Sequence, residues 1–199
     1  RLGMSLPEAD AEAEFAKADK NGGGILLFDE FCEWFMVKEG MEVGSETTKK
    51  KKKKGKKKKK AQRFDDDPEL MAKEFDAVEA EVDALVGDEA AVDAVWSRID
   101  FNGNGGASLA EIDKWAVEQY PVLDEKPALM RAYKRTTSKV GGGDGDDWVE
   151  RKEVAALMQN LVFYNKLFAV FDDIDEGDDR RVDFDEFKTS MKRLGMSMG

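Results

Sequence analysis

Five residues with side-chain oxygens stand in the stretch DFNGNGGASLAE, at Asp100, Asn102, Asn104, Ser108 and Glu111, with Gly105 among them. A hard cation such as calcium takes six to eight oxygen ligands. A chain that turns sharply at a glycine can wrap ligands with this spacing around one point. The stretch therefore predicts a calcium site rather than a plain polar turn.

The spacing is that of an EF-hand loop, which takes ligands from positions 1, 3, 5, 7, 9 and 12. Position 7 uses a backbone carbonyl, position 6 is a glycine, and the glutamate at position 12 gives both oxygens. Residues 100–111 fill every position, with Gly106 supplying the carbonyl. Only Asp100 and Glu111 are charged, so the sequence predicts weak calcium affinity.

Three poorer copies of this loop occur at 19–30, 142–153 and 175–186. The copy at 142–153 is the weakest because Gly142 stands at position 1, and we do not predict calcium there. The predicted ligands of the other two copies are Asp19, Asn21, the Ile25 carbonyl and Glu30, and Asp175, Asp179, the Arg181 carbonyl, Asp183 and Glu186.

Each of these two copies also departs from the pattern. In 19–30, Gly23 at position 5 and Leu27 at position 9 offer no side-chain oxygen. In 175–186, position 3 is Gly177, and Arg180 replaces the glycine of position 6. Calcium binding at these two loops is therefore less certain from the sequence than at 100–111.

Apolar residues keep nearly the same register around all four loops, which predicts a helix on each side of each loop. The sequence therefore predicts an all-α protein of EF-hand helix–loop–helix pairs, in the calmodulin-like superfamily. We expect a single hand at 1–40, a lysine-rich linker at 41–63, and a lead-in helix with three hands at 64–199. The predicted helices cover about 6–18, 28–39, 89–99, 109–119, 125–138, 150–172 and 184–194, with one more starting at Asp67-Pro68.

Charge is distributed unevenly along the chain. The net charge is −11, but residues 49–60 hold 11 lysines, and the remainder carries 21 Lys and Arg against 43 Asp and Glu. The run suits an acidic partner such as tubulin, and this binding should weaken steeply as salt rises. Because the run lacks interleaved aromatic or Arg residues, we do not expect it to bind nucleic acid.

The chain contains no histidine, which removes the commonest general base. No nucleophile–base pair and no phosphate-binding fingerprint stands out, and the glycine runs belong to the predicted calcium loops. We therefore expect no enzymatic activity.

The continuous stretch ERKEVAALMQNLVFYNKLFAVFDDID between the last two loops, together with the loop spacing, resembles the flagellar calcium-binding proteins of trypanosomes, the calflagins. FDDIDEGDDRRVDFDEF resembles the third hand of that family, and FAKADKNGGGILLFDEF resembles its last hand. The resemblance implies calcium binding in a cilium or flagellum. Together with the lysine run and its expected affinity for acidic tubulin, it leads us to expect this chain on the cytoplasmic side, at the axoneme. The family's lipidated N-terminal Met-Gly-Cys is not matched here, so we do not expect a membrane anchor from it.

The order of the hands differs from that family, because the hand resembling its last one comes first here. The string RLGMS occurs at 1–5 and again at 193–197, so the chain begins in the context where it ends. The hand at 175–186 needs the hand at 19–30 as an apolar partner, from the same chain or from the next. We expect head-to-tail self-association and a structural or calcium-responsive role; the alternative is a free calcium sensor or buffer that exposes a groove to a target helix.

Overall fold

The structure is a computed structural model that describes residues 11–41, 68–85, 87–139, 143 and 145–193. The lysine run 49–60, Gly142, Asp144 and the first RLGMS copy lie outside these described residues, as do residues 6–10 of the first predicted helix.

The described part of the chain is mostly helical, as the sequence predicts, and adds two strands of two residues each. Most predicted helix limits are confirmed to within two residues. The largest difference is at the predicted helix 150–172, where a 3-10 turn at Arg151–Glu153 precedes the α-helix. The elements are α1 (Ala11–Ala18), β1 (Ile25–Leu26), α2 (Phe28–Lys38), α3 (Pro68–Leu85), α4 (Glu89–Ile99), α5 (Leu109–Gln119), a 3-10 turn (Pro121–Leu123), α6 (Lys126–Thr137), α7 (Val154–Ile174), β2 (Val182–Asp183) and α8 (Phe184–Arg193).

Local signals explain where α4 and α5 begin. The Asp88 side chain accepts hydrogen bonds from the N–H groups of Ala90 and Ala91, both at 3.0 Å, and so caps α4. Ser108 and Glu111 form a reciprocal capping box at the start of α5. Gly87 adopts a φ of 85° between α3 and α4, a left-handed conformation that glycine takes without strain.

The described residues form two compact units. Unit 1 comprises residues 11–41 and 166–193, and unit 2 comprises residues 68–139 and 143–165 without the undescribed positions. The predicted division into 1–40, 41–63 and 64–199 stays a prediction.

The core of unit 1 is an aromatic cluster that joins its two segments. Phe15 meets Phe184 and Phe187 with ring centroids 5.4 and 5.5 Å apart. Phe28 meets Phe168 at 5.0 Å in the same edge-on arrangement. Such aromatic pairs stabilise a core beyond their buried area, by roughly 0.5–1.5 kcal/mol each. The apolar face predicted around the loop at 19–30 is therefore covered by the segment that carries the loop at 175–186.

Unit 1 also contains a buried charge. The Glu14 side chain is only 3 % exposed, and its Oε2 accepts hydrogen bonds from Trp34 Nε1 at 3.1 Å and Lys38 Nζ at 2.6 Å. Lys17 Nζ lies 2.7 Å from the other oxygen. Burial works to raise the pKa of Glu14, but these three hydrogen bonds outweigh it and lower the pKa to about 2. The network ties α1 to the last turn of α2.

Unit 2 packs α3 against the region that follows it. Of the apolar residues of α3, Phe75, Val78, Val82 and Leu85 are buried, whereas Leu70 is exposed. The Tyr120 hydroxyl donates to Glu81 at 2.7 Å. Burial, together with this carboxylate, raises the pKa of Tyr120 to about 12.

Within the described residues, one helical stretch, Arg151–Ile174, is long and apolar enough to cross a membrane. Of its most apolar window, 56 % is buried inside the protein, as in the core helix of a soluble domain. Length and composition alone are weak evidence for a membrane span.

Candidate metal centre

The loop at 100–111 leaves α4 at Ile99 and enters α5 after Ser108. Gly103 and Gly105, at loop positions 4 and 6, adopt φ angles of 71° and 86°. A residue with a Cβ is strained in this left-handed region, whereas glycine is not. These two glycines let the chain reverse within the loop.

Asp100 organises the first half of the loop. Its two carboxylate oxygens accept hydrogen bonds from the N–H groups of Asn104, at 3.1 Å, and Gly105, at 2.9 Å. Asn102 Oδ1 accepts from Asn104 N–H at 2.9 Å, and Asn104 Oδ1 accepts from Gly106 N–H at 3.0 Å. The side-chain oxygens of positions 1, 3 and 5 are therefore held against the loop's own backbone.

Glu111 closes the loop. Its side chain is largely buried, with the residue 8 % exposed. Oε2 accepts from the Ser108 N–H at 2.9 Å and from the Ser108 hydroxyl at 2.8 Å, while Oε1 accepts from the Asn102 amide. The last position of the loop thus lies against positions 3 and 9. All five predicted side-chain ligands of 100–111 belong to one hydrogen-bond network.

The loop at 19–30 has the same internal bonding. Asp19 accepts from the N–H groups of Gly23, at 3.1 Å, and Gly24, at 2.7 Å. Glu30 accepts from the Asn21 amide and from the Leu27 N–H, the latter at 3.3 Å. The remaining predicted ligand, the carbonyl of Ile25, belongs to the first residue of β1. Three of the predicted residues, Asp19, Asn21 and Glu30, are thus joined to the loop as their counterparts are in 100–111.

The loop at 175–186 repeats the pattern without its glycines. Asp175 accepts from the N–H groups of Asp179, at 3.3 Å, and Arg180, at 2.6 Å. Asp178 and Arg180, at positions 4 and 6, adopt φ angles of 50° and 63°. The same backbone turn therefore forms here, although non-glycine residues pay roughly 1–2 kcal/mol for a left-handed conformation.

The closing glutamate of this loop also takes its expected place. Glu186 accepts from the N–H groups of Gly177 and Asp183, both at 2.9 Å. Arg181, the predicted carbonyl ligand, directly precedes β2. Burial raises the pKa of the Asp175 carboxyl above its ordinary value, although hydrogen bonds from Asp179 and Arg180 N–H oppose the change.

The described residues of the fourth copy, 143 and 145–153, share part of this bonding. Asp146 Oδ1 accepts from Trp148 N–H at 3.1 Å, and Glu153 Oε2 accepts from Glu150 N–H at 2.8 Å. Glu153 is 5 % exposed, and its Oε1 has no hydrogen-bond partner. Gly145 N–H instead donates to the Thr137 carbonyl at 2.9 Å, which attaches this loop to the end of α6.

The loops associate in pairs through position 8. In unit 1, β1 and β2 are antiparallel, with Leu26 opposite Val182. In unit 2, Ala107 and Val149 form an antiparallel bridge whose two N···O distances are 2.8 and 3.1 Å. All four of these position-8 residues are fully buried. Loop 19–30 therefore pairs with loop 175–186 within one chain, and loop 100–111 pairs with the fourth copy.

Among the residues that the structure describes, no three acidic or cysteine side chains lie close enough together to hold a metal ion. In loop 100–111 this agrees with its composition, because its neutral oxygens outnumber its two carboxylates. In loop 175–186, Asp179 and Glu186 lie close enough to Asp175 for their charges to contribute to the raised pKa of its carboxyl.

Two features of this region were not predicted from the sequence. Trp148 packs on Gly106 across the paired loops, and Arg151 forms ion pairs with Glu89, at 2.6 Å, and with Asp93. These ion pairs raise the pKa of Arg151 and lower that of Asp93. The partners of Arg151 are about 60 residues away along the chain, and no local pattern marks such a contact.

No protein-family model, no curated protein and no solved structure matches this chain.

Proposed function

We propose that this chain is a non-catalytic calcium-binding protein of the EF-hand type and that loop 100–111 is its principal site. The observation that carries the proposal is the hydrogen-bond network of this loop, in which Asp100, Asn102 and Glu111 meet around a backbone turned by two left-handed glycines. The recurrence of this network in loops 19–30 and 175–186, and the pairing of the loops through position 8, support the same reading.

The residues of loop 100–111 fit calcium better than a softer metal. Carboxylate, amide, hydroxyl and carbonyl oxygens are the donors that calcium takes in proteins, and the loop offers no sulfur or imidazole. Asp100, Asn102, Asn104, Ser108, Glu111 and the carbonyl of Gly106 would hold the ion. Because only two of them are charged, we expect a dissociation constant on the order of 10⁻⁵ to 10⁻³ M.

Glu111 Oε1 is engaged with the Asn102 amide nitrogen in the structure as described. A bidentate Glu111 needs this oxygen free, so binding requires Asn102 to turn its amide oxygen toward the site. The replaced hydrogen bond is one further reason to expect modest affinity. Loops 19–30 and 175–186 are weaker candidates. The first lacks a side-chain oxygen at Leu27, and the second has Gly177 at position 3 and Arg180 at position 6.

The direct test is isothermal titration calorimetry of the intact chain with calcium, compared with Glu111→Gln. This change removes a charged bidentate ligand and should abolish the tightest site, while weaker sites keep their heats. Glu118→Gln makes the same change at an exposed position of α5 and should bind like the unaltered chain. If Glu111→Gln keeps the tightest site, the assignment to 100–111 is wrong.

We further propose a structural or calcium-responsive role at the ciliary or flagellar axoneme, with head-to-tail association of chains. The competing role is a calcium sensor that exposes an apolar groove to a target helix, and the burial of the aromatic side chains bears on it. Three aromatic side chains beside loops 19–30 and 175–186, Phe31, Phe171 and Phe187, are at most 2 % exposed. This closed arrangement favours a structural role over an open groove. Because the two loops pair within one chain, association would require one copy's segment 11–41 to take the place of another's.

A further inference from the structure

Trp148 lies against Gly106, the residue whose backbone carbonyl is a proposed calcium ligand. Gly106 occupies position 7 of loop 100–111, and a Cβ added to it would lie 3.4 Å from Trp148 Cβ and 3.5 Å from Trp148 Cε3. The three atoms nearest to that Cβ all belong to Trp148. The indole is therefore packed on the one residue of the loop that offers a backbone oxygen as a ligand.

The bridge between the paired loops fixes this contact. Ala107 and Val149 exchange two backbone hydrogen bonds, of 2.8 and 3.1 Å, and both residues are fully buried. Their antiparallel register places Trp148 opposite Ser108, at position 9 of the calcium loop. Trp148 thus borders the segment from Gly106 to Ser108, which carries two successive ligand positions.

Trp148 is itself held by bonds that need no metal. The backbone N–H of Trp148 donates to Asp146 Oδ1 at 3.1 Å, and the Tyr133 hydroxyl donates to the backbone carbonyl of Asp147. Arg151, three residues further on, is paired with Glu89 and Asp93 on α4. The loop at 142–153 lacks an oxygen-bearing side chain at position 1, yet it is fastened on both sides of Trp148.

We propose that Trp148 is a positioning residue for calcium at 100–111, and that the fourth loop serves as the fixed support of this site rather than as a site of its own. The inference rests on the proposed function of loop 100–111. The mechanism is preorganisation, since a carbonyl that is already oriented loses less conformational freedom when it becomes a ligand. Fixing one backbone residue is enough to change affinity by about tenfold.

The test is calcium calorimetry on the intact chain, with Trp148→Ala and Trp148→Phe. Trp148→Ala should weaken the tightest site by about tenfold with unchanged stoichiometry, and the calcium dissociation rate measured by chelator stopped-flow should rise correspondingly. Trp148→Phe keeps a ring over Gly106 and should stay within about twofold of the unaltered chain. Phe101→Ala is the matched control, because it removes a ring that is 65 % exposed from the same loop.

A double-mutant cycle measures how far the contact between Trp148 and Gly106 contributes to calcium affinity. Gly106→Ala places a methyl group 3.4 Å from Trp148 Cβ and 3.5 Å from Cε3, at the close limit of ordinary van der Waals contact, so the ring must shift slightly and calcium binding should weaken. In the Trp148→Ala background Cγ and Cε3 are gone and only the contact with Cβ remains, so Gly106→Ala should cost less affinity there than with Trp148 in place. Independent effects of the two changes would overturn the proposal, as would Trp148→Ala binding like the unaltered chain.

The outcomes separate this inference from the function it rests on. If the unaltered chain binds calcium and Glu111→Gln abolishes the tightest site, but Trp148→Ala has no effect, only the positioning role fails. If Glu111→Gln keeps the tightest site, both fail. Helix content by circular dichroism without calcium should be the same in all variants. If Trp148→Ala loses helix content, the test uses Gly106→Ala with Trp148 in place instead. Unchanged calcium binding in Gly106→Ala would then overturn the inference.

Discussion

The Glu14 network of unit 1 allows a quantitative test. In Glu14→Gln the amide oxygen can still accept the hydrogen bond from Trp34, but the carboxylate charge that faces Lys17 and Lys38 is lost. The variant therefore isolates the contribution of the charge while keeping the size of the side chain. Loss of the Glu14 charge also removes the carboxylate that faces Lys38, whose side chain is only 22 % exposed.

The magnitude follows from the pKa of Glu14, which falls from an ordinary value of 4.5 to about 2 in the folded protein. A shift of this size corresponds to about 3 kcal/mol of stability at neutral pH. The side chain of Lys17 is 65 % exposed, so solvent screens part of this interaction. We therefore expect Glu14→Gln to destabilise unit 1 by roughly 2–3 kcal/mol at pH 7.

The stabilisation by Glu14 should depend on pH. A carboxyl whose pKa is lowered on folding adds stability above its unfolded pKa, and this stability is lost as pH falls toward the folded value. The difference between the unaltered chain and Glu14→Gln should be constant from neutral pH down to about 5, fall to about 40 % of its full size near pH 3, and nearly vanish near pH 2.

The assay is native-state hydrogen exchange followed by mass spectrometry on peptides from α2, because this helix carries both Trp34 and Lys38. Glu12→Gln, at an exposed position of α1, is the matched control and should change protection by less than about 0.5 kcal/mol. The reasoning is refuted if Glu14→Gln matches this control at pH 7. A destabilisation that does not change between pH 7 and pH 3 would show that the charge is not its source.

Two further predictions concern the partner loops of unit 1. Arg180→Gly removes a non-glycine residue from a left-handed conformation, with a φ of 63°. The relief of strain exceeds the entropy that glycine gains in the unfolded chain, so unit 1 should become more stable by about 0.5–1 kcal/mol. Reduced hydrogen-exchange protection of α8 would contradict this. Head-to-tail association predicts that the mass of the intact chain, measured by analytical ultracentrifugation, rises with concentration. A monomer up to high micromolar concentration, together with binding between fragments 1–40 and 64–199, would leave the folded-back single chain as the arrangement in solution.

Much of the local structure could be predicted from the sequence because its determinants are close together along the chain. Helices α4 and α5 have the predicted limits, since Asp88 and Ser108 are capping residues followed by an apolar register of helical period. The bonding inside loop 100–111 likewise joins residues at most nine positions apart. The left-handed turn at Arg180 shows the limit of such reasoning. There the rest of the loop imposes a conformation that the residue type disfavours.

The sequence by itself determined four helix–loop–helix repeats, their order, and which loop offers the most complete set of oxygens, because these depend on spacing and residue type alone. The sequence predicted that loop 175–186 needs loop 19–30 as its partner. Only the tertiary structure joined the two through β1 and β2 within one chain, because the periodicity of an apolar face does not say which chain supplies the complementary face. The same holds for Glu14 with Lys38, Arg151 with Asp93, and Trp148 on Gly106. In each case the two residues come from separate segments of the chain, and their contact exists only once those segments have packed.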